Sequence, residues 1–232
     1  MKLERLSVAM VEPRYGLNIG YVARTMKNFG AHHLFIVGKN GVPSSAIRFA
    51  SHAADVIRDA QHVNFGDLRK RFDFVVGTTA IKAGSGRNPV RKIIMLDQMT
   101  ALGVDPASTV ILLGRDTTGM TDVELNICDL IVHVPTGTSY PTLNISHALA
   151  IMLYSLSVSK SKIVRPVERI YVDESLACFS TMLSLSKYPV HKRRRAVRIF
   201  GTAMVRSQAK EEEVVTLLGV FRKVNLALER RF

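Results

Sequence analysis

Short apolar runs, separated by longer stretches with a helical hydrophobic period, set the rhythm of the first two-thirds of the chain. Runs of strand length and strand composition occur at Leu6–Val11, His33–Val37, Phe72–Gly77, Thr109–Leu113 and Leu130–Val134. Between the first two, Ile19, Val22, Ala23, Met26 and Phe29 recur at i, i+3, i+4, i+7 and i+10, which predicts a helix over Ile19–Phe29 with one apolar face. Asn18 stands just before it and Gly30 just after, residue types suited to a helix start and stop. A further helix is expected over Asn144–Ser157, where Ile145, Ala148, Leu149, Met152 and Leu156 form the apolar stripe. Alternating strands and helices imply an α/β fold, a mostly parallel sheet with helices on both faces.

The alternation stops near Ser159. Residues 159–167 are polar and basic, include Pro166 and read as a linker. Beyond it three helical patterns follow, over Glu168–Lys187, Arg193–Gln208 and Lys210–Arg231. The last opens on Glu211, Glu212 and Glu213 and closes on Arg230 and Arg231, both favourable to the helix dipole. The expected organisation is therefore a sheet domain over residues 1–158 and a small, all-helical, basic C-terminal extension over residues 168–232. Within the first domain, Gly84-Ser85-Gly86-Arg87 reads either as a mobile connection or as a loop that closes on a substrate.

Composition narrows the class. A 232-residue chain that is 47% hydrophobic can bury a sizeable core. No apolar run reaches the roughly 18 residues of a membrane span. The start, MKLERLSVAMVEP, mixes charges with a strand-length run and does not resemble a secretory signal. Cys128 and Cys178 are far apart and read as buried free thiols, which points to a reducing compartment, the cytoplasm.

Charge adds a partner. The net charge of +13 is unevenly placed: residues 187–232 hold twelve Lys/Arg and four Glu. His191-Lys192-Arg193-Arg194-Arg195 is the densest cluster, with Arg198 and Arg206 further along the same helical pattern. Clustered positive charge of this kind favours a polyanion. Nucleic acid suits it better than a membrane, because the apolar residues of this segment are needed between its own helices. With no RNP-type aromatic signature, no zinc-finger spacing and no Trp, recognition through phosphates and shape is expected. His32, His33, His52, His62, His133, His147 and His191 show no metal-ligand spacing, so no metal is expected. His52 and His147 could move a proton, though nothing in the sequence selects them.

The densest candidate chemistry lies in residues 108–147. Gly114-Arg115-Asp116-Thr117-Thr118-Gly119-Met120-Thr121 approaches the G-x-x-x-x-G-K-T phosphate loop but has Met120 where lysine must reach the phosphates. Asp116 adds a carboxylate that would repel phosphate oxygens. A neutral or cationic ligand is the better match. Thr121 and Glu124 have the T-x-x-E spacing of a capping box. Both this loop and the one after Leu130–Val134 follow strand ends, where open α/β sheets gather ligands.

Three segments now stand in order: Asn18-Ile19-Gly20-x-x-Ala23-Arg24-Thr25-Met26-Lys27-Asn28-Phe29-Gly30, Gly114-Arg115-Asp116-x-x-Gly119-Met120-Thr121, and Thr142-Leu143-Asn144-Ile145-Ser146. This trio resembles the signature motifs of the SPOUT methyltransferases, in the branch that methylates ribose 2′-hydroxyls of RNA, over residues 5–158. The tail, RRRAVRIF and the helix after it, resembles the C-terminal extension of the TrmJ group, which modifies tRNA at position 32 in the anticodon loop.

The resemblance implies a C-terminal trefoil knot in the sheet domain, S-adenosylmethionine as cofactor, tRNA as partner and a homodimer with an active site formed across it. By motif position it assigns cofactor contacts to Thr78, Thr79, Ala80, Gly114, Val134, Pro141, Thr142 and Leu143. It assigns catalysis to Arg24, Asn18 and Thr142, with Asn18 orienting the arginine. RNA contacts fall on Arg24, Arg115, Arg193, Arg194 and Arg195. The family pattern carries Glu at the position of Asp116 and Ser at that of Thr142; both changes keep the functional group. Since a guanidinium stays protonated, Arg24 is better suited to holding a phosphate and stabilising a developing alkoxide than to taking a proton. Asn18 and Asn144 can each be read as the cap of its own helix, and Thr142 as a turn hydroxyl. A ribosomal RNA methyltransferase of the same fold and a non-catalytic RNA-binding protein remain as alternatives.

Overall fold

Every pairing among the described strands is parallel, and together they form one seven-stranded sheet of order β3-β2-β1-β6-β4-β7-β5. The strands are β1 (Ser7–Val11), β2 (His33–Val37), β3 (Gln61–Val63), β4 (Phe74–Thr79), β5 (Ile93–Met95), β6 (Thr109–Leu113) and β7 (Leu130–His133). The structure is a computed structural model that describes residues 3–81, 93–164, 167–207 and 209–230; the Gly84–Arg87 loop lies outside these. The five apolar runs of the sequence became β1, β2, β4, β6 and β7. β3 and β5 have three residues each, at the two edges, too few for a period to show. β4 starts two residues later than expected and continues through Thr78 and Thr79, so both belong to the strand rather than to the loop after it.

Helices follow the winding. Around the sheet they are α1 (Gly16–Asn28), α2 (Ser45–Ala50), α3 (Ala54–Arg58), α4 (Phe65–Arg71), α5 (Leu96–Ala101), α6 (Asp122–Leu125) and α7 (Ile145–Val158). From β1 to β3 the chain steps toward one edge, and from β3 to β4 it steps back. Right-handed crossovers then put α1 to α3 on one face of the sheet and α4 on the other. On the α4 face, Ala9, Val11, Phe35, Val37, Val75, Val110 and Leu112 pack with Leu68 and Phe72. The alternate residues Val8, Met10, Ile36, Val76 and Ile111 are fully buried on the opposite face. Covering both faces explains why the strands read as continuous apolar runs instead of alternating ones.

α1 ends as the sequence predicts. Gly30, at φ 76°, donates to Lys27, and Ala31 donates to Met26, the two bonds of a Schellman motif. Its beginning differs. The helix starts at Gly16, so Asn18 lies inside the first turn and is not the cap; Tyr15 holds that position and supplies no side-chain acceptor. Asn144 does cap α7, accepting from the Ser146 N–H at 2.9 Å.

The chain divides into two compact units, Met1–Val164 and Arg165–Phe232. Residues 159–164 go with the first: Val164 N–H donates to Gly103 O at 2.7 Å, and the Ser159 hydroxyl donates to Thr100 O. The second unit consists of α8 (Arg169–Leu185), α9 (Val190–Ser207) and α10 (Glu211–Glu229). One phenylalanine from each helix, Phe179, Phe200 and Phe221, meets the other two with ring centroids 4.6–5.8 Å apart. Asn225 Nδ2 donates to Cys178 O at 3.0 Å and ties α10 to α8. Cys128 and Cys178 are both half-buried rather than fully buried.

Candidate functional site

At the carboxyl ends of β4, β6 and β7 lies a cleft of about 330 Å³, within the range of small-molecule sites. Its walls are the end of β4 (Thr78 to Ile81), the loop after β6 (Gly114 to Met120), and the segment after β7 (Val134, then Pro141 to Leu143). All eight positions assigned to the cofactor by resemblance line it: Thr78, Thr79, Ala80, Gly114, Val134, Pro141, Thr142 and Leu143. Met120, Asp122, Leu125, Ile145 and Ala148 line it too, and the sequence reading had not singled them out for that.

The loop after β6 is a stiff turn. Arg115 and Gly119 exchange two backbone hydrogen bonds at 3.1 and 3.0 Å, and Gly119 takes φ 68°, where a side chain would be strained. A Cβ on Gly114 would come within 2.6–2.8 Å of the Gly119–Met120 backbone, so the two glycines of this motif close one against the other. Thr121 caps α6 as expected, with Glu124 Oε2 accepting from Thr121 N–H at 2.7 Å in return.

Arg115, read from sequence as an RNA contact, instead forks onto Glu124. Nη1 and Nη2 donate to Oε2 and Oε1 at 2.8 and 2.7 Å, and Nη1 also reaches Gly119 O at 3.3 Å. Its guanidinium braces the loop. The contact holds the Glu124 carboxyl below the usual carboxylate range, its hydrogen bonds from Arg115 outweighing the effect of burial, and raises the guanidinium in turn. No sequence rule names this partner, because a nine-residue separation is brought together only by the turn.

The three motif segments meet through a chain of side-chain hydrogen bonds. Asn144 Nδ2 donates to Asn18 Oδ1 at 2.9 Å, and Asn18 Nδ2 donates to Asp116 Oδ1. Asp116 Oδ2 accepts from the backbone N–H groups of Arg14 and Tyr15 at 3.1 and 3.3 Å. The carboxylate thus serves the start of α1 that Tyr15 leaves uncapped. The meeting point is where the winding reverses, between neighbouring β1 and β6. Asn18 is buried and makes no hydrogen bond to Arg24.

Arg24 is exposed on α1, with no hydrogen bond or ion pair engaging it among the described residues. Thr142 is exposed on the cleft wall. At the end of β7, buried His133 meets Thr79 O through Nδ1 at 3.1 Å, which fixes the strand end rather than a metal. Among the described residues, no group of three or more His, Cys, Asp or Glu side chains is placed to hold a metal ion, and no helix is long and apolar enough to cross a membrane.

In the second unit Arg193 is half-buried, donating to Tyr188 O at 2.7 Å and to the Ser184 hydroxyl at 3.0 Å. It secures the end of α8, which limits the RNA-binding role read for it from sequence. Arg194 and Arg195, beside it on α9, are exposed.

Comparison with known proteins places this geometry. The sequence model of the SpoU rRNA Methylase family matches residues 5–154. The tRNA (cytidine-2′-O-)-methyltransferase TrmJ of Methanocaldococcus jannaschii is 31% identical over 227 residues, 94% of this chain and 98% of that protein. Among solved structures, TrmJ from Z. mobilis ZM4 superposes with a TM-score of 0.70 at 22% identity, covering 94% of this chain and 98% of that one. An AdoMet-bound rRNA methyltransferase from Sinorhizobium meliloti superposes with a TM-score of 0.54 at 21% identity, over 66% of this chain and 55% of that one.

Proposed function

This chain belongs to the SpoU methylase family of RNA methyltransferases, and on that premise we propose that it transfers a methyl group from S-adenosylmethionine to the 2′-hydroxyl of a tRNA ribose, at position 32 of the anticodon loop. The observation that carries the reading is the cleft itself: eight positions chosen by motif line one cavity at the strand ends. Its chemistry suits a sulfonium. Asp116 and Asp122 stand on its walls, and Arg115 is neutralised by Glu124. The M. jannaschii relative, alike over nearly its whole length, supports tRNA as the substrate; the S. meliloti neighbour, named as AdoMet-bound, supports the donor.

In this reading Thr78 to Ala80, Gly114, Val134 and Pro141 to Leu143 hold the donor, largely through backbone, and S-adenosylmethionine supplies an electrophilic methyl group. The chain contributes enclosure and orientation, which bring the ribose oxygen and the methyl into line. Arg24 holds a phosphate next to the target nucleotide and stabilises charge as it develops on the ribose oxygen. Thr142 offers a hydroxyl at the cleft wall. Arg194 and Arg195 hold tRNA phosphates from the helical unit.

The same reading includes a homodimer, a trefoil knot and a cytoplasmic location. α1 and α7 pack together. Both leave apolar side chains in solvent: Leu17 and Tyr21 on α1, and Ile151, Tyr154 and Val158 on α7, with Tyr154 60% exposed. Arg24 follows Leu17 by seven residues, on the same stripe of the helix. A second copy seated on this face would bring its own Arg24 to the cleft of the first. For the knot, β4 lies between β6 and β7 in the sheet and the loops after all three converge on one cavity.

Replacing Arg24 by Ala tests the mechanism. The variant should bind S-adenosylmethionine in a calorimeter as the parent does, while methylation of tRNA falls by about 100- to 1000-fold. Ordinary turnover would remove Arg24 from the reaction. Digesting tRNA after reaction with labelled donor identifies the nucleotide; label in ribosomal RNA and none in tRNA would favour a ribosomal substrate instead.

A further inference from the structure

We propose that Asp116, Asn18 and Asn144 form a directional hydrogen-bond relay that fixes the start of the helix bearing Arg24, making Asp116 a positioning residue for methyl transfer. The inference rests on the methyltransferase reading above.

The direction of the relay is forced from one end. Asn144 Oδ1 accepts from both the Ser146 N–H at 2.9 Å and the Ser146 hydroxyl at 2.7 Å, because Asn144 caps α7. Its Nδ2 is therefore the end that meets Asn18, and it donates to Asn18 Oδ1. The Asn18 amide is then also fixed, with Nδ2 toward Asp116. Both oxygens of Asp116 face N–H donors, so the group at this position accepts through each of them, as a carboxylate does. Its second oxygen takes the Arg14 and Tyr15 N–H groups.

Those two N–H groups belong to the start of α1, whose first turn contains no acidic residue and whose cap residue makes no side-chain bond. Asp116 supplies both the missing acceptor and a negative charge at the positive end of the helix. Arg24 lies eight residues beyond Gly16, about 12 Å along the axis at 1.5 Å per residue. A rigid helix transmits any shift at its start to the guanidinium. The carboxylate itself is delivered from the turn locked by Arg115–Gly119 and by the Arg115–Glu124 fork. Because Asp116 also lines the cleft, a single side chain touches the donor pocket of its own protomer and the start of the helix that carries Arg24 toward the paired copy.

Asp116→Asn tests this with almost no change of shape. Its new carbonyl oxygen can keep Arg14 and Tyr15, but its NH₂ then faces the NH₂ of Asn18. Asn18 cannot turn over, since Asn144 is held by Ser146. Full-length Asp116→Asn should lose about 30- to 100-fold in kcat, the scale of a small misplacement. Its KM for tRNA should stay within about threefold, and its S-adenosylmethionine Kd should rise by less than kcat falls, since Asp122 remains on the cleft wall. Asn18→Asp alone sets two carboxylates face to face and should fare no better. The exchanged pair, Asn18→Asp with Asp116→Asn, satisfies every donor again: the central carboxylate accepts from Asn144 and from the new amide, whose oxygen keeps Arg14 and Tyr15. It should regain at least tenfold in kcat over either single variant.

Wild-type turnover in Asp116→Asn overturns the proposal. So does an exchanged pair that folds, binds donor and stays as slow as the singles, even if a single variant fails to fold. Absence of methylation by the parent protein on any tRNA strikes the underlying functional reading instead.

Discussion

β1 and β6 are buried at every position, whereas the three helices of the C-terminal unit bury little. Among their described residues, Ser175 and Leu183 on α8, Met204 on α9, and Val214, Leu218 and Asn225 on α10 are buried. The charged groups differ in the same sense. In the sheet unit Arg69 pairs with Asp129, Lys27 with Asp55 and Arg115 with Glu124. On α9, Lys192, Arg194 and Arg195 face solvent. The first unit uses its polar groups to fix geometry around a cleft, as chemistry at a single methyl requires. The second pairs Arg222 with Glu174 but leaves Lys192, Arg194 and Arg195 exposed, which suits the tRNA contact proposed for it, and it has only a thin core to hold the helices that carry them.

The strongest way to break this contrast is to remove the thin core. Phe200→Ala takes one ring from the trio with Phe179 and Phe221. A fully buried phenylalanine costs about 3–5 kcal/mol on truncation, and this half-buried one should cost about 3. Two-stage melting is expected, the helical unit unfolding first, with S-adenosylmethionine binding by the sheet unit retained. If donor binding disappears together with the helical signal, the two units are not energetically separate.

A smaller effect sharpens the other half. The Glu124 carboxyl is held below the usual carboxylate range by Arg115. Its stabilisation is complete above the ordinary Glu value of about 4.3 and is lost as pH falls through the depressed folded value. Glu124→Gln should destabilise the protein by about 2 kcal/mol near neutral pH. The gap to the parent should narrow as pH drops below about 4. Melting both proteins across the range from neutral to acid checks this; a gap that stays constant would mean the pair contributes no charge-dependent stability.

The smallest effect on stability falls on α9. Arg194→Ala with Arg195→Ala should leave the melting temperature within about a degree. The dependence of log affinity for tRNA on log salt should flatten by about 2, one unit for each phosphate that the variant no longer neutralises. An unchanged salt slope would show that these exposed charges do not meet the nucleic acid.

Much of this protein was decided locally. Hydrophobic runs of strand length, the stripes of α1 and α7, the Thr121–Glu124 box, the Gly30 stop and the Asn144 cap each depend on residues a few positions apart, so the sequence shows them directly. The cleft was also legible, since its walls are the loops that follow buried strands, and strand ends in a parallel sheet lie on one side. Three things were left to the tertiary structure. β3 and β5 exist because neighbouring strands offer them an edge, their own three residues being too few to declare a strand. Arg115 turned inward because the closed turn brings Glu124 within its reach, while Arg24 stays exposed on α1. Asp116 found Arg14 across 102 residues of sequence because two adjacent parallel strands end side by side there. A hydrogen bond reaches about 3 Å, and only the folded sheet brings such distant residues that close.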